Sequence, residues 1–196
     1  MAKTTNILLV GVGGQGILLA SEVLSEVLML AGFDVKKNEI HGMSQRGGSV
    51  VSHVRFGAKV YSPIIPEGEA DILFGFELLE TCRYLSLLRA EGQVVSNSLR
   101  IMPPAVATGR ETYPADLQQR ISRQVPHTRL IDGLQLALQA GNARTVNTVL
   151  LGALSCLLQL DEALWLEALR TMVPPRFIDE NLRAFELGRQ AGQAAA

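Results

Sequence analysis

The sequence predicts an α/β fold: a single domain with a mostly parallel sheet, helices on both faces and a helical C-terminal part. Three observations predict it. An apolar run, Asn6 to Val10, leads through a glycine-rich turn into a helical pattern and then a second extended run. Further short apolar runs alternate with helical stretches through the middle of the chain. Helical spacing dominates from Gly133 onward. Strand, glycine turn, helix and strand in that order form the opening unit of a parallel sheet.

The first strand is the buried run NILLV, and Gly11 to Gly16 form the turn. Ile17 to Ala31 carry apolar residues at helical spacing, and Gly32 closes that helix as a C-terminal cap. Phe33 to Ile40 read as the second strand and Val50 to Phe56 as the third, with Lys59 to Ser62 as a short partner before Pro63 and Pro66 break regularity. Asp71 to Phe76 read as a buried strand, Glu77 to Leu88 as a helix stopped by Gly92, and Gln93 to Asn97 as the next strand. Pro103, Pro104 and Gly109 mark a loop, Pro114 to Gln124 a short helix, and Thr128 to Asp132 a last strand. Four helices are expected after it: Gly133 to Ala140, Ala143 to Leu160, Glu162 to Met172 capped by Asp161, and Arg176 to Ala191 beyond Pro174 and Pro175.

A chain of 196 residues is long enough for one well-buried domain and short for two, so one domain over 1–196 is expected. The apolar fraction of 47% and charged fraction of 19% are those of an ordinary globular protein. A net charge of −1 and scattered arginines provide no basic face for nucleic acid and no pull toward an anionic membrane. Cys82 and Cys156 lie outside any C-x-x-C pair and cannot supply the four thiolates of an iron–sulfur cluster. No ligand spacing suggests a metal site, so two free thiols in a reducing cytoplasm are expected. No apolar run has the form of a secretory signal or the length of a membrane span, which also points to the cytoplasm.

Two segments can carry chemistry. Gly11, Gly13 and Gly16 fit G-x-G-x-x-G, with Gly14 and Gln15 between them. Such a turn lets the backbone approach a ligand and aims unpaired N–H groups from a helix N-terminus. With Glu39 at the end of the second strand, the motif is compatible with a dinucleotide, with another phosphate ligand, or with close packing alone. The second segment runs from Glu39 to Ser49, EIHGMSQRGGS, and falls at the same carboxyl edge, where open α/β sheets bind ligands. Ser44, Gln45 and Arg46 bring hydroxyl, amide and guanidinium donors, and Gly47 and Gly48 permit a nest of backbone N–H groups. His41 can do proton chemistry near neutral pH, though a hydrogen-bonded structural role fits it as well. His53 reads as structural and His127 as exposed. Asn142, Arg144 and Asn147 open a helix apolar nearly all round, where the asparagines can cap or bridge to a neighbouring loop.

G-x-G-G-Q-G followed by E-x-H-G-M-S-Q-R-G-G-S-V resembles the gamma family of 2-oxoacid:ferredoxin oxidoreductases, and within it the indolepyruvate type. The likeness extends through Tyr61 to Pro66, Ala70 to Glu77, Asn147 to Leu154, and Asn181 with Ala184, Phe185 and Gly188, so it covers almost the whole chain. It implies a Rossmann-like gamma domain. It also implies a part in the thiamine-dependent oxidative decarboxylation of 2-oxoacids, aryl pyruvates among them, to acyl-coenzyme A, with electrons passed to ferredoxin. Gly11, Gly13, Gly14, Gln15, Gly16, Ser44, Gly47 and Gly48 are then the candidate cofactor-facing residues, and His41, Gln45 and Arg46 the candidate catalytic ones. The thiamine-family G-D-G string has only an imperfect counterpart, Ile131-Asp132-Gly133, with Asn142 and Asn147 following too soon. Thiamine diphosphate, magnesium and the iron–sulfur clusters are therefore expected on a larger alpha-type partner subunit, with coenzyme A a co-substrate of the complex. In isolation the exposed partner surface favours self-association, such as a homodimer. The readings left beside this one are an autonomous NAD(P)-binding oxidoreductase and a non-catalytic assembly module.

Overall fold

A computed structural model describes residues 4–41 and 47–195, with His41 described by its backbone alone. Six strands form one sheet: β1 (Thr5–Val12), β2 (Asp34–His41), β3 (Ser49–Gly57), β4 (Ala70–Gly75), β5 (Leu88–Asn97) and β6 (Thr128–Ile131). Their order across the sheet is β2-β3-β1-β4-β5-β6. β1, β4, β5 and β6 pair in parallel, whereas β3 is antiparallel to both β1 and β2. The opening strand–helix–strand unit is thus parallel as expected, but β3 folds back between its two strands. The C-terminal ends of β1, β2, β4, β5 and β6 share one edge with the start of β3, as the pairings Val12 with Ser49 and His41 with Val50 show.

Helices cover both faces. Alternate strand residues point to opposite sides, which divides the core in two. Ile7, Leu9, Phe74, Val95 and Ile131 face α1 (Ile17–Leu30), α5 (Gly133–Ala140), α6 (Val146–Ser155), α7 (Glu162–Met172) and α8 (Ile178–Ala194). Leu8, Val10, Leu73 and Val94 face α2 (Leu78–Arg83) and α4 (Leu117–Gln124). A single turn of helix, α3 (Pro104–Ala107), lies in the intervening loop. Trp165 is fully buried and packs on Phe185. Among the described residues, no helix is long and apolar enough to cross a membrane.

Three local expectations are corrected. Lys59 to Ser62 form no strand. Proline removes donors from this stretch, and its remaining groups bond to side chains instead. Val60 N–H goes to Asp34, Ile65 N–H to His53 Nδ1, and Arg55 holds the carbonyls of Ser62 and Ile64. The helix after Glu77 ends at Arg83, passes through a 3₁₀ turn at Leu85–Leu87 and gives way to β5 at Leu88. Gly92 is no helix stop. It sits where the β4–β5 register slips between Ala70 and Ile72, and a Cβ there would lie 2.5 Å from Leu88 Cγ. The helix expected from Ala143 to Leu160 is a 3₁₀ turn followed by α6, which ends at Ser155.

The tightest packing is between α6 and α8. A Cβ on Gly188 would stand 1.9 Å from the carbonyl oxygen of Val149, and one on Gly152 would stand 2.1 Å from that of Phe185. The two backbones touch, so any side chain must push the helices apart. Gly188→Ala is expected to destabilise the protein by about 3 kcal/mol in urea denaturation. Gln190→Ala, on the exposed side of the same helix, should change stability by no more than about 0.5 kcal/mol.

Candidate functional site

The site is assembled at the carboxyl edge by three pieces: the glycine turn after β1, the end of the β2–β3 connection, and the start of α2. In the turn, Gln15 is the organising side chain. Its Oε1 accepts from Val12 N–H at 2.7 Å, and its Nε2 donates to the Phe76 carbonyl at 2.8 Å. One carboxamide therefore ties the end of β1 to the end of β4. Gly11 is buried beneath it, where a Cβ would lie 2.7 Å from Gln15 Oε1 and 2.8 Å from Phe76 Cβ. Gly16 caps α1 with φ 74°, a left-handed conformation that favours glycine. It also meets Asn147, whose Nδ2 donates to the Gly16 carbonyl at 3.5 Å. Gly14 and Gly16 are exposed at this edge.

The second loop returns alongside the turn. Gly13 N–H donates to the Gly48 carbonyl at 2.8 Å, and Gly47 N–H donates to the Gly13 carbonyl at 3.4 Å. The two sequence motifs thus meet through backbone hydrogen bonds. Ser44, Gln45 and Arg46 lie outside the described residues, as does the side chain of His41. Among the predicted site residues, Gly11, Gly13, Gly14, Gln15, Gly16, Gly47 and Gly48 come together. Gln15 serves the chain itself rather than facing outward.

Sequence reasoning missed the acidic pair on α2. Glu77 is 1% exposed and caps the helix, accepting from Glu80 N–H at 2.9 Å. Its other oxygen accepts from Ile101 N–H at 3.2 Å and from the Tyr113 hydroxyl at 2.7 Å. Burial, aided by that carboxylate, pushes the Tyr113 phenol well above its ordinary range. Glu80 is 5% exposed; its Oε2 accepts from the Ser49 hydroxyl at 2.6 Å and its Oε1 lies 3.3 Å from Arg83 Nε. These groups border a cavity of about 220 Å³, walled also by Val12, Leu79, Met102 and Pro103. A larger hollow of about 420 Å³ sits at the opposite edge, beside Phe33, Phe56 and the Leu157–Leu160 connector. Size alone would favour it, but neither glycine-rich segment reaches it. The only forward signal for the acidic pair was Glu77 at the end of the family-like segment; Glu80 had none.

The dinucleotide reading loses its geometry. β3 separates β2 from β1, so Glu39 stands a strand away from the glycine turn. Its carboxylate is engaged by Lys37 at 2.9 Å and by the Ser21 hydroxyl at 3.2 Å. Among the described residues, the string that echoes the thiamine-family motif is engaged within the chain itself. Asp132 caps α5 by accepting from Gln135 N–H, and Gly133 N–H goes to Asn97 Oδ1. Among the described residues, no group of three or more His, Cys, Asp or Glu is placed to hold a metal. Partial burial raises both Cys82 and Cys156 above the ordinary thiol range. His53 accepts from Ile65 N–H and is buried, a structural role as read from the sequence, and His127 is exposed. Asn142 caps the turn before α6 and donates to Glu180, so the asparagines do cap and bridge.

The chain matches the family described as pyruvate ferredoxin/flavodoxin oxidoreductase over residues 6–191. It is 44% identical to the indolepyruvate oxidoreductase subunit IorB of Thermococcus kodakarensis, over 97% of each chain. Two solved structures share its fold. The gamma subunit of keto/oxoacid ferredoxin oxidoreductase from Geobacter sulfurreducens is 24% identical with a TM-score of 0.71, covering 97% of this chain and 99% of that one. The 2-oxoglutarate:ferredoxin oxidoreductase of Magnetococcus marinus is 21% identical with a TM-score of 0.75. There the match covers 98% of this chain but 31% of that one, so the same fold occurs as one part of a longer polypeptide.

The Gln15 bridge is open to direct test. Gln15→Ala leaves Val12 N–H and the Phe76 carbonyl without their partner and is expected to cost about 1–3 kcal/mol in urea denaturation. Gln15→Glu keeps the acceptor but loses the donor, because a carboxylate cannot donate. The folded state then favours the protonated acid, which raises the pKa of the introduced group. The stability deficit of Gln15→Glu should therefore be full above that raised pKa and shrink as pH falls through it, whereas that of Gln15→Ala should not.

Proposed function

The chain belongs to the pyruvate ferredoxin/flavodoxin oxidoreductase family, and from that membership we propose that it is the small subunit of an indolepyruvate-type 2-oxoacid:ferredoxin oxidoreductase. The near full-length match to the Thermococcus kodakarensis subunit is the observation that carries this reading. The complex oxidatively decarboxylates an aryl pyruvate to the acyl-coenzyme A and passes electrons to ferredoxin. The chain acts in it as one gamma-type domain over 1–196 and is inactive alone.

Thiamine diphosphate with magnesium supplies carbanion stabilisation when bound, and iron–sulfur clusters carry the electrons; we assign all of these to the larger alpha-type subunit. The setting is the cytoplasm, where the cluster-bearing partner and the thiols of this chain stay reduced. This chain's own residues bind, orient and exclude water. The exposed glycines Gly14 and Gly16, with Gly13 between the two loops, and the loop motif that carries Ser44, Gln45, Arg46, Gly47 and Gly48 are our candidates for contact with the partner and with the anionic parts of coenzyme A or the 2-oxoacid, while the buried Gly11 supports the turn from below. His41 is placed by its strand at the same edge. Leu18, Leu19, Ile40 and Met102 are large exposed apolar side chains on the elements around these loops. Large apolar side chains left exposed in this way suit a subunit interface.

Co-expression with the large subunit should give a brown complex that reduces a viologen dye with indolepyruvate and coenzyme A. Gln45→Ala and Arg46→Ala should each lower turnover by about tenfold or more without dissociating the complex. Full activity in both variants would instead favour a non-catalytic assembly module. Equilibrium dialysis with NAD(H) should show negligible binding, and micromolar affinity would restore the autonomous oxidoreductase.

A further inference from the structure

We infer that Glu80 is a positioning residue for the carboxyl-edge site: through Ser49 and Arg83 it holds the root of the β2–β3 connection and the cation on the cavity rim in one fixed relation to the glycine turn. The inference rests on the proposed function for what the site does, but the geometry stands by itself.

Burying a carboxylate is costly unless it is fully engaged. Glu80 is 5% exposed, and its two oxygens are divided between two elements. Oε2 accepts from Ser49, the first residue of β3, at 2.6 Å, within the range of strong charge-assisted bonds. Oε1 faces Arg83 Nε one turn further along α2, at 3.3 Å. The Tyr84 hydroxyl stands 3.4 Å from Ser49 Oγ and closes the group. Gly48 and Gly47 are meanwhile tied to Gly13 from the other side. Residues 47 to 49 are therefore held at three points, two on the glycine turn and one on α2. A neutral amide in place of Glu80 would bond Ser49 more weakly than the charge-assisted carboxylate does. The carboxylate adds a short bond on the root and a simultaneous hold on the rim guanidinium.

The test uses Ser49→Ala, Glu80→Gln and the conservative Ser49→Thr. In the full chain, amide hydrogen exchange at residues 47–50 should quicken about tenfold or more in Ser49→Ala and Glu80→Gln, with β4 and α6 unchanged. In the complex with the large subunit, kcat/KM for the 2-oxoacid and coenzyme A should fall about tenfold at unchanged complex size, and Ser49→Thr should recover it to within about twofold. Wild-type exchange at 47–50 in both Ser49→Ala and Glu80→Gln would overturn the hold itself. Faster exchange with wild-type kcat and KM would overturn positioning and leave Glu80 a structural residue. A wild-type complex that turns over no 2-oxoacid would sink the proposed function, while the exchange measurement still decides the hold. Ser49→Ala, at the partly exposed end of a strand, keeps the test decisive should Glu80→Gln fail to fold.

Discussion

The insertion of β3 between β1 and β2 is the constraint from which the carboxyl edge follows. Once β3 pairs antiparallel along the whole of β1, its first residue must lie opposite Val12. The connection that precedes it must then arrive beside the glycine turn. The backbone bonds between Gly13 and Gly47–Gly48 continue that ladder by one step beyond the strands. Two loops far apart in the chain are thereby held together by sheet pairing, which is far stiffer than contact between free loops. The same insertion moves Glu39 away from the turn and removes the arrangement that dinucleotide binding needs.

The interior of the edge is closed by polar side chains, each of which joins two elements. Gln15 joins β1 to β4, Glu77 joins α2 to the loop at Ile101 and to Tyr113, and Asn97 joins β5 to the start of α5. Asn147 reaches Gly16 from α6, and its neighbour Thr148 bonds Asn181 of α8. The bonds these side chains make specify one geometry more sharply than apolar packing does. The described part of the edge is thus tied together by side chains beneath the glycine turn. That arrangement suits the proposed role as one subunit of an oxidoreductase complex.

The glycines of the G-x-G-G-Q-G motif have different roles, which the motif alone could not separate. Gly11 is demanded by packing under Gln15 and Phe76, and Gly16 by a left-handed backbone against Asn147. Gly13 contributes its backbone to the second loop, and Gly14 is exposed at the edge. Close packing, one of the alternatives weighed from the sequence, accounts for Gly11 and Gly16, whereas a Cβ on Gly14 would meet nothing within 4 Å.

Strand and helix identity was legible in the sequence, because each element buries one face and writes its own period into the order of apolar residues. NILLV and DILFGF formed as read, and so did the caps at Gly32 and Asp161, whereas the helix read from Ala143 to Leu160 formed only over Val146–Ser155. The glycine turn and the loop motif were legible for the same local reason. The tertiary structure alone decided the place of β3, the irregular course of residues 58–69 and the bulge at Gly92. It alone joined Ser49 to Glu80, 31 residues away, and Gln15 to Phe76, 61 residues away. Such links depend on which strands become neighbours. A polar side chain that bonds across that distance leaves no periodic mark in the chain around it, so only the folded arrangement reveals it.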